Sequence, residues 1–223
     1  GYLGNGSEAW RIPDTDALPP FELNLETEKT DQTIHKDADG NDQFLPYVRD
    51  PETLARAWAT PGTPGLEHRI GGLEKEHRTG DVSYDAANHQ QMTELRAQKV
   101  QNVADEYSPL QVHGADAGEV LVLGWGSTKG AIVEATERVR EEGRRVGSVT
   151  LRHVWPLPND LGDVLGRFDQ VLVPELNNGQ LIRVLRDQYR SEFTALNKIQ
   201  GRPFRAEEIV EKVEELLVEP APA

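Results

Sequence analysis

The sequence contains no cysteine. Disulfides, thiolate-held metals and iron–sulfur ligation are therefore outside this chain's own chemistry. It also lacks any run near the ~20 apolar residues that cross a bilayer. No segment reads as a secretory leader. Positive charge is short as well: 24 Lys and Arg face 38 Asp and Glu, for a formal net charge of -14. The pI is about 4.9. Nucleic-acid binding through the chain's own surface needs a basic patch, so that role is not expected. These absences together read as a cytoplasmic protein that meets neither nucleic acid nor membrane. The 223 residues suffice for one large domain or two small ones. The first residue is Gly1 rather than Met. That reads as a processed start or as an internal piece of a longer chain.

What is present centres on residues 120–143. Val120 to Leu123 is a short apolar run with the β-branched content of a buried strand. Gly124 and Gly126 allow a tight turn, and Ser127 or Thr128 is placed to cap a helix. Ile132, Val133, Thr136 and Val139 recur at helical spacing. Gly143 is a suitable stop, since glycine enters the left-handed region without a Cβ penalty. Strand, glycine turn and helix open a βαβ unit. Such a turn can hold an anion at the helix N-terminus. The third glycine of the dinucleotide pattern is one residue late, at Gly130, and Lys129 precedes that glycine, so the Walker pattern is absent too. Both readings stay open here: a structural turn, or the anion site of a free-standing α/β nucleotide-binding or interaction module.

Ahead of this unit the chain is less regular. Residues 1–10 are glycine-rich and read as loop, and Pro13, Pro19 and Pro20 keep the next stretch extended. Phe21 to Glu26 alternates apolar and polar, as a short strand does. Asp37 to Asp42 has the front spacing of a calcium loop, but Val48 stands where the bidentate Glu belongs, so it reads as an exposed turn. Asp50-Pro51-Glu52 reads as the start of a short helical turn. Thr60 to Lys75 is an irregular Gly/Pro loop carrying Glu67, His68 and Arg69 side by side. Charged loops often carry binding groups, so these three are candidate contacts; the alternative is a plain surface loop. Asp85 to Glu106 reads as a helix with Met92, Leu95, Lys99 and Val103 on one face. Arg96 and Lys99 are available for ion pairs, and His89 reads as a half-buried helical side chain.

Residues 109–118 read as a linker and a domain boundary, giving domains 1–108 and 109–223. Beyond the organising unit, Arg145 to His153 is a second strand, ended by Trp155-Pro156-Leu157-Pro158. Asn159 or Asp160 is placed to cap a short helix to Phe168. Gln170 to Pro174 is a third strand, Leu181 to Tyr189 an amphipathic helix, Leu196 to Gln200 a fourth strand and Ala206 to Leu217 a last helix. This alternation predicts an α/β fold: a mostly parallel sheet with helices on both faces. Ligands of such sheets sit at the carboxyl ends of strands. Those ends are Gly124 to Ser127, His153 to Pro158 and Glu175 to Gln180. Glu175, Asn177, Asn178 and Gln180 are the densest polar cluster and are candidate substrate or interface contacts; the alternative is that they cap the following helix and meet another subunit.

Several motifs spread along the chain carry a resemblance. They are Gly1-Tyr-Leu-Gly-Asn-Gly-Ser-Glu-Ala-Trp-Arg11, Thr63-Pro-Gly-Leu-Glu-His-Arg69, Asn88-His89 with Arg96-x-x-Lys99, and Gly124-Trp-Gly-Ser-Thr-Lys-Gly130. Pro156-Leu-Pro158, Val173-Pro-Glu-Leu-Asn-Asn-Gly-Gln-Leu181 and Gln200-Gly-x-Pro-Phe204 complete the set. Together they resemble the alpha subunit of 2-oxoacid:ferredoxin oxidoreductases, of the 2-oxoglutarate type found in actinobacteria. The resemblance implies oxidative decarboxylation of 2-oxoglutarate to succinyl-CoA, with coenzyme A and the 2-oxoacid as substrates and ferredoxin as electron acceptor. It implies thiamine diphosphate, Mg2+ and a [4Fe-4S] cluster in the whole enzyme, carried mainly by the beta subunit. A paired heterotetrameric assembly follows from the same likeness.

The family's substrate-contacting Tyr-Pro-Ile-Thr-Pro-type segment and Arg loop have no counterpart here. The resemblance therefore implies the C-terminal part of an alpha subunit: the loop-rich end of a thiamine pyrimidine-type domain, then a transketolase C-terminal-like domain. Upstream alpha sequence becomes an expected partner. No residue is carried over as catalytic, and no cofactor is expected on this chain alone.

Overall fold

The computed structural model describes residues 14–18, 20, 25–26, 34–36 and 38–218. The glycine-rich residues 1–10, Pro13 and Pro19, residues 21–24 of the expected first strand, and Asp37 lie outside them. The chain forms two compact units, Tyr2–Val103 and Ala104–Ala223. Among the described residues no helix is long and apolar enough to cross a membrane.

The N-terminal unit is built from short pieces. β1 (Leu25–Glu26) pairs in parallel with β4 (Trp58–Ala59). β2 (Ile34–Lys36) and β3 (Asp42–Phe44) form an antiparallel hairpin. Its turn contains Gly40 at φ 84, so the Asp/Gly stretch reverses the chain at a position that favours glycine. The Asp50 segment does not become helical. Its Oδ1 accepts from the N–H of Glu52 and Thr53 and from the Thr53 hydroxyl, which closes a side-chain-held turn.

α1 (Ala86–Asn102) is the one long helix among the unit's described residues. Asp85 caps it by accepting from the Asn88 N–H at 2.7 Å. Its expected apolar face is only partly used: Met92 is buried, Leu95 half-buried and Val103 exposed, lying in a following 3-10 turn. Asn88 is buried and clamps the preceding reversal. Its side-chain oxygen accepts from His77 N–H at 3.0 Å, and its amide donates to Lys75 C=O at 2.8 Å.

The C-terminal unit is a five-stranded sheet in the order β5-β7-β6-β8-β9. β6 (Gly118–Trp125), β7 (Val146–Leu151), β8 (Phe168–Glu175) and β9 (Phe193–Asn197) run parallel. The fourth strand thus lies three residues earlier than expected. Phe193 is buried, whereas Ile199, which made 196–200 look apolar, is 68% exposed. The stretch expected to be a linker contains β5 (His113–Gly114), an antiparallel edge on β7.

Side chains alternate across the sheet, as a period of two requires. Val120, Val122 and Leu172 face α2 (Lys129–Glu141) and α5 (Ala206–Val218), meeting Ile132, Val139, Ile209 and Val213. Leu121, Leu123, Val171 and Val173 face α3 (Leu161–Leu165) and α4 (Gln180–Gln188), meeting Leu161, Leu165, Leu181 and Leu185. Burial of such side chains is the main stabilising term, roughly 1.5–3 kcal/mol for each large aliphatic residue. The chain steps from β6 to β7 on one side, then crosses to β8 on the other. The carboxyl ends of β6 and β8 are therefore the point where the winding reverses.

Two capping expectations are corrected. Neither Ser127 nor Thr128 caps α2. A 3-10 turn, Gly126–Thr128, leads into it, and the Thr128 hydroxyl folds back to donate to Trp125 C=O at 2.8 Å. Asp160 precedes α3 without capping it: its carboxylate accepts instead from Leu110 N–H at 2.7 Å, while Asn159 donates to Asp105. Gly143 does follow α2 in the left-handed region, at φ 86.

Candidate functional site

The reversal point between β6 and β8 is where a doubly wound sheet offers a crevice. Here the chain's own residues occupy it. Glu175 ends β8 fully buried. Its carboxylate accepts from Leu181 N–H at 2.8 Å, Ile182 N–H at 3.1 Å, the Asn177 amide at 3.2 Å and the Trp125 indole at 3.3 Å. Two of these donors are the free N–H groups of the first turn of α4, whose positive end favours a carboxylate. Asn177 accepts from Gln180 N–H at 2.9 Å. Glu175 and Asn177 thus serve the helix start, while Asn178 and Gln180 are exposed beside it. The glycine turn is equally committed. A Cβ on Gly124 would stand 2.1 Å from Ile132 Cδ1 and 2.7 Å from Thr128 Oγ1, so glycine is needed for strand and helix to approach.

In the N-terminal unit the Glu67-His68-Arg69 loop does not gather into one site. Glu67 accepts from Gly65 N–H at 2.7 Å and braces its own turn. The His68 ring stands edge-on to Phe44, with Nδ1 2.9 Å from Leu66 C=O. Arg69 is exposed.

The unit's pronounced hollow lies elsewhere. A cavity of about 510 Å³ is lined by Tyr47, Arg49, Leu54 and Arg56 from one loop, 71–75 from another, and Met92, Leu95, Arg96 and Lys99 from α1. Among the described residues its cations are Arg49, Arg56, Lys75, Arg96 and Lys99, and its one carboxylate is Glu74. Arg96 grips Glu74 through both terminal nitrogens, at 3.0 and 3.3 Å, and His89 Nδ1 lies 2.7 Å from the same carboxylate. His89 is exposed rather than half-buried. The Arg96 hydrogen bond, then the His89 contact, hold the Glu74 carboxyl down at about 2.

Three of the other cations, Arg49, Arg56 and Lys75, are held by neutral groups. Arg49 donates to Tyr47 C=O at 3.0 Å and His77 C=O at 2.7 Å. Burial pulls its pKa below the usual arginine value. Arg56 stacks 4.7 Å from the centre of the Tyr47 ring. Lys75 is 4% exposed, and its ammonium donates to Leu73 C=O at 2.9 Å. Leu54, at φ 56, is the one non-glycine among the described residues in the left-handed region, a conformation that costs roughly 1–2 kcal/mol. Its N–H donates to Asp50 C=O at 3.0 Å, which ties it to the side-chain-held turn. Of this set, sequence reading singled out Arg96 and Lys99; the cavity brings them to cations from two distant loops.

Comparison with known proteins adds a family to this geometry. The chain is 45% identical over 209 residues to the 2-oxoglutarate oxidoreductase subunit KorA of Mycobacterium tuberculosis, a match covering 94% of this chain and 30% of that protein. The chain belongs to the 2-oxoacid:ferredoxin oxidoreductase alpha-subunit family. Residues 118–209 match the model of pyruvate:ferredoxin oxidoreductase core domain II, a span running from β6 into α5. An alpha subunit of 2-oxoacid:ferredoxin oxidoreductase 1 from Aeropyrum pernix is 35% identical over 143 residues, covering 60% of this chain and 22% of its own length. The solved 2-oxoglutarate:ferredoxin oxidoreductase of Magnetococcus marinus, with 2-oxoglutarate, coenzyme A and succinyl-CoA bound, superposes with a TM-score of 0.73 at 32% identity. That likeness covers 82% of this chain and 32% of the other. The chain thus spans less than a third of the length of each relative.

Proposed function

We propose that this chain forms part of a thiamine-diphosphate-dependent 2-oxoglutarate:ferredoxin oxidoreductase. The observation that carries the proposal is the 45% identity to a 2-oxoglutarate oxidoreductase subunit, sustained over 94% of the chain. In this reading 2-oxoglutarate loses CO2, the remaining acyl group passes to the thiol of coenzyme A as succinyl-CoA, and two electrons leave for ferredoxin. Thiamine diphosphate supplies the stabilisation of the carbanion left by CO2 loss. In this reading Mg2+ and the iron–sulfur cluster belong to a partner chain. The described residues include no group of three or more His, Asp or Glu able to hold a metal, and the sequence offers no thiolate. Both are assigned to a beta subunit. The chain's own part is structural: a rigid doubly wound domain, closed at its reversal point by Trp125 and Glu175, that supports the rest of the enzyme in the cytoplasm.

The test is to purify the protein containing this chain with its beta subunit and follow reduction of ferredoxin. Reduction that requires both 2-oxoglutarate and coenzyme A, and yields succinyl-CoA, is expected. Reduction with pyruvate but not 2-oxoglutarate would reassign the substrate. No 2-oxoacid-dependent reduction would overturn the reading.

A further inference from the structure

The basic cavity of the N-terminal unit has no part in the structural role just assigned. Its five cations and one carboxylate leave a formal excess of four positive charges, in a chain whose total is -14. An acidic protein that gathers unneutralised cations around one hollow concentrates positive potential there. We infer that this cavity binds a ligand carrying two or more phosphate groups, held by Arg49, Arg56, Lys75 and Lys99.

Four observations converge on that chemistry. Lys75 is almost wholly buried, yet no carboxylate pairs with it among the described residues; its ammonium has one neutral acceptor. A buried cation in that state is costly, and an anion in the hollow relieves it. Arg49 is fixed in advance by two carbonyls, so little side-chain freedom is lost when a ligand arrives.

Gly71 and Gly72 lie in the wall beside Lys75. A Cβ on Gly72 would meet nothing within 4 Å, and one on Gly71 would meet only Lys75 Nζ at 3.9 Å. Neither crowding nor a left-handed backbone calls for glycine there, whereas close approach of a phosphate to bare backbone does. Finally, the strained Leu54 belongs to the same wall, and strain of this kind gathers at ligand sites.

Charge and size select the ligand class. A dicarboxylate would neutralise only about half of the excess, while a diphosphate or a phosphorylated nucleotide matches it. The volume of about 510 Å³ lies in the range of small-molecule sites. The same chemistry is offered by free inorganic diphosphate, by ADP and by the phosphorylated nucleotide end of coenzyme A. Only the last would tie the cavity to the proposed enzyme.

The experiment is hydrogen exchange on the intact protein containing this chain, with inorganic diphosphate, ADP, coenzyme A or dephospho-coenzyme A added in turn. Slowed exchange of the amides at 71–75 and 47–49 is expected with at least one of these. The ligand concentration giving half-protection should rise tenfold or more in Lys99→Glu, a substitution at an exposed position that leaves the core packing untouched. Lys75→Met should behave alike if it folds. Protection by coenzyme A at lower concentration than by dephospho-coenzyme A or ADP identifies coenzyme A as the source. Protection by diphosphate or ADP at least as strong points to a separate phosphorylated ligand, and supports the site whether or not the enzyme assignment stands. The inference is overturned if no phosphorylated probe protects these segments, if Lys99→Glu leaves the protection unchanged, or if 2-oxoglutarate protects where the phosphates do not. It is also overturned if carboxylates from elsewhere in the intact protein already fill the cavity.

Discussion

The indole N–H of Trp125 donates to Oε1 of Glu175 across 3.3 Å, joining the carboxyl ends of two neighbouring parallel strands. The same oxygen takes the Leu181 N–H, and the other oxygen takes that of Ile182. Glu175→Gln preserves the volume but turns one acceptor into a donor that faces a donor. A loss of about 1–3 kcal/mol is expected, since buried donors lose their partners. It should appear as a lower urea midpoint with an unchanged slope. An unchanged midpoint would show that the carboxylate does not hold this junction.

Gly124 and Ile132 define how closely β6 and α2 approach. Gly124→Ala places a methyl 2.1 Å from Ile132 Cδ1. Overpacking of this kind should cost about 1–3 kcal/mol. Ile132→Val removes the clashing carbon, so the double variant should regain part of the stability that the first change loses. Strictly additive losses, measured as a double-mutant cycle, would contradict the close-approach account.

Asn88 should matter more than its place on a largely exposed helix suggests. Asn88→Ala strands His77 N–H and Lys75 C=O together, for an expected cost of about 1–3 kcal/mol. Amide exchange in residues 74–82 should accelerate more than in the rest of the chain. Uniform acceleration would argue against a local clamp.

The pH response of Glu74 has a defined sign. Its folded value of about 2 lies below the ordinary 4.5, because Arg96 and His89 hold the ionised form. The contribution to stability is therefore fully present above pH 4.5 and lost as pH falls toward about 2. Glu74→Gln should weaken the protein at neutral pH and flatten the part of its acid profile in that window. Denaturant midpoints across the window, compared with the unaltered protein, read this directly. Parallel profiles would dissociate the carboxylate from acid sensitivity.

Much of the C-terminal unit was legible because its strands are apolar runs and its helices carry one apolar face. Val120 to Leu123 and Ile209 with Val213 announce buried positions by spacing alone. β9 starts three residues before the expected strand because the buried Phe193 stands between polar neighbours, while the apolar Ile199 beyond its end is exposed. The helix-capping alternative for Glu175 holds, since the N–H groups of Leu181 and Ile182 donate to it; its tie to Trp125 was not legible, because that donor sits on a strand fifty residues away. The cavity was least legible. Its cations occur singly on loops from Arg49 to Lys75 and on α1, with no local pattern linking them. Only the folded backbone brings these charges round one space.

β5 is two residues long, pairing His113 with Ser148 and Gly114 with Gly147 on the outer side of β7. An open sheet edge is a template on which a foreign strand can grow. This small antiparallel piece takes the backbone groups at the start of β7 and reverses the strand direction there. A newcomer is denied a long parallel register on that side. The segment expected to be a mere connector thereby blunts that edge of the sheet.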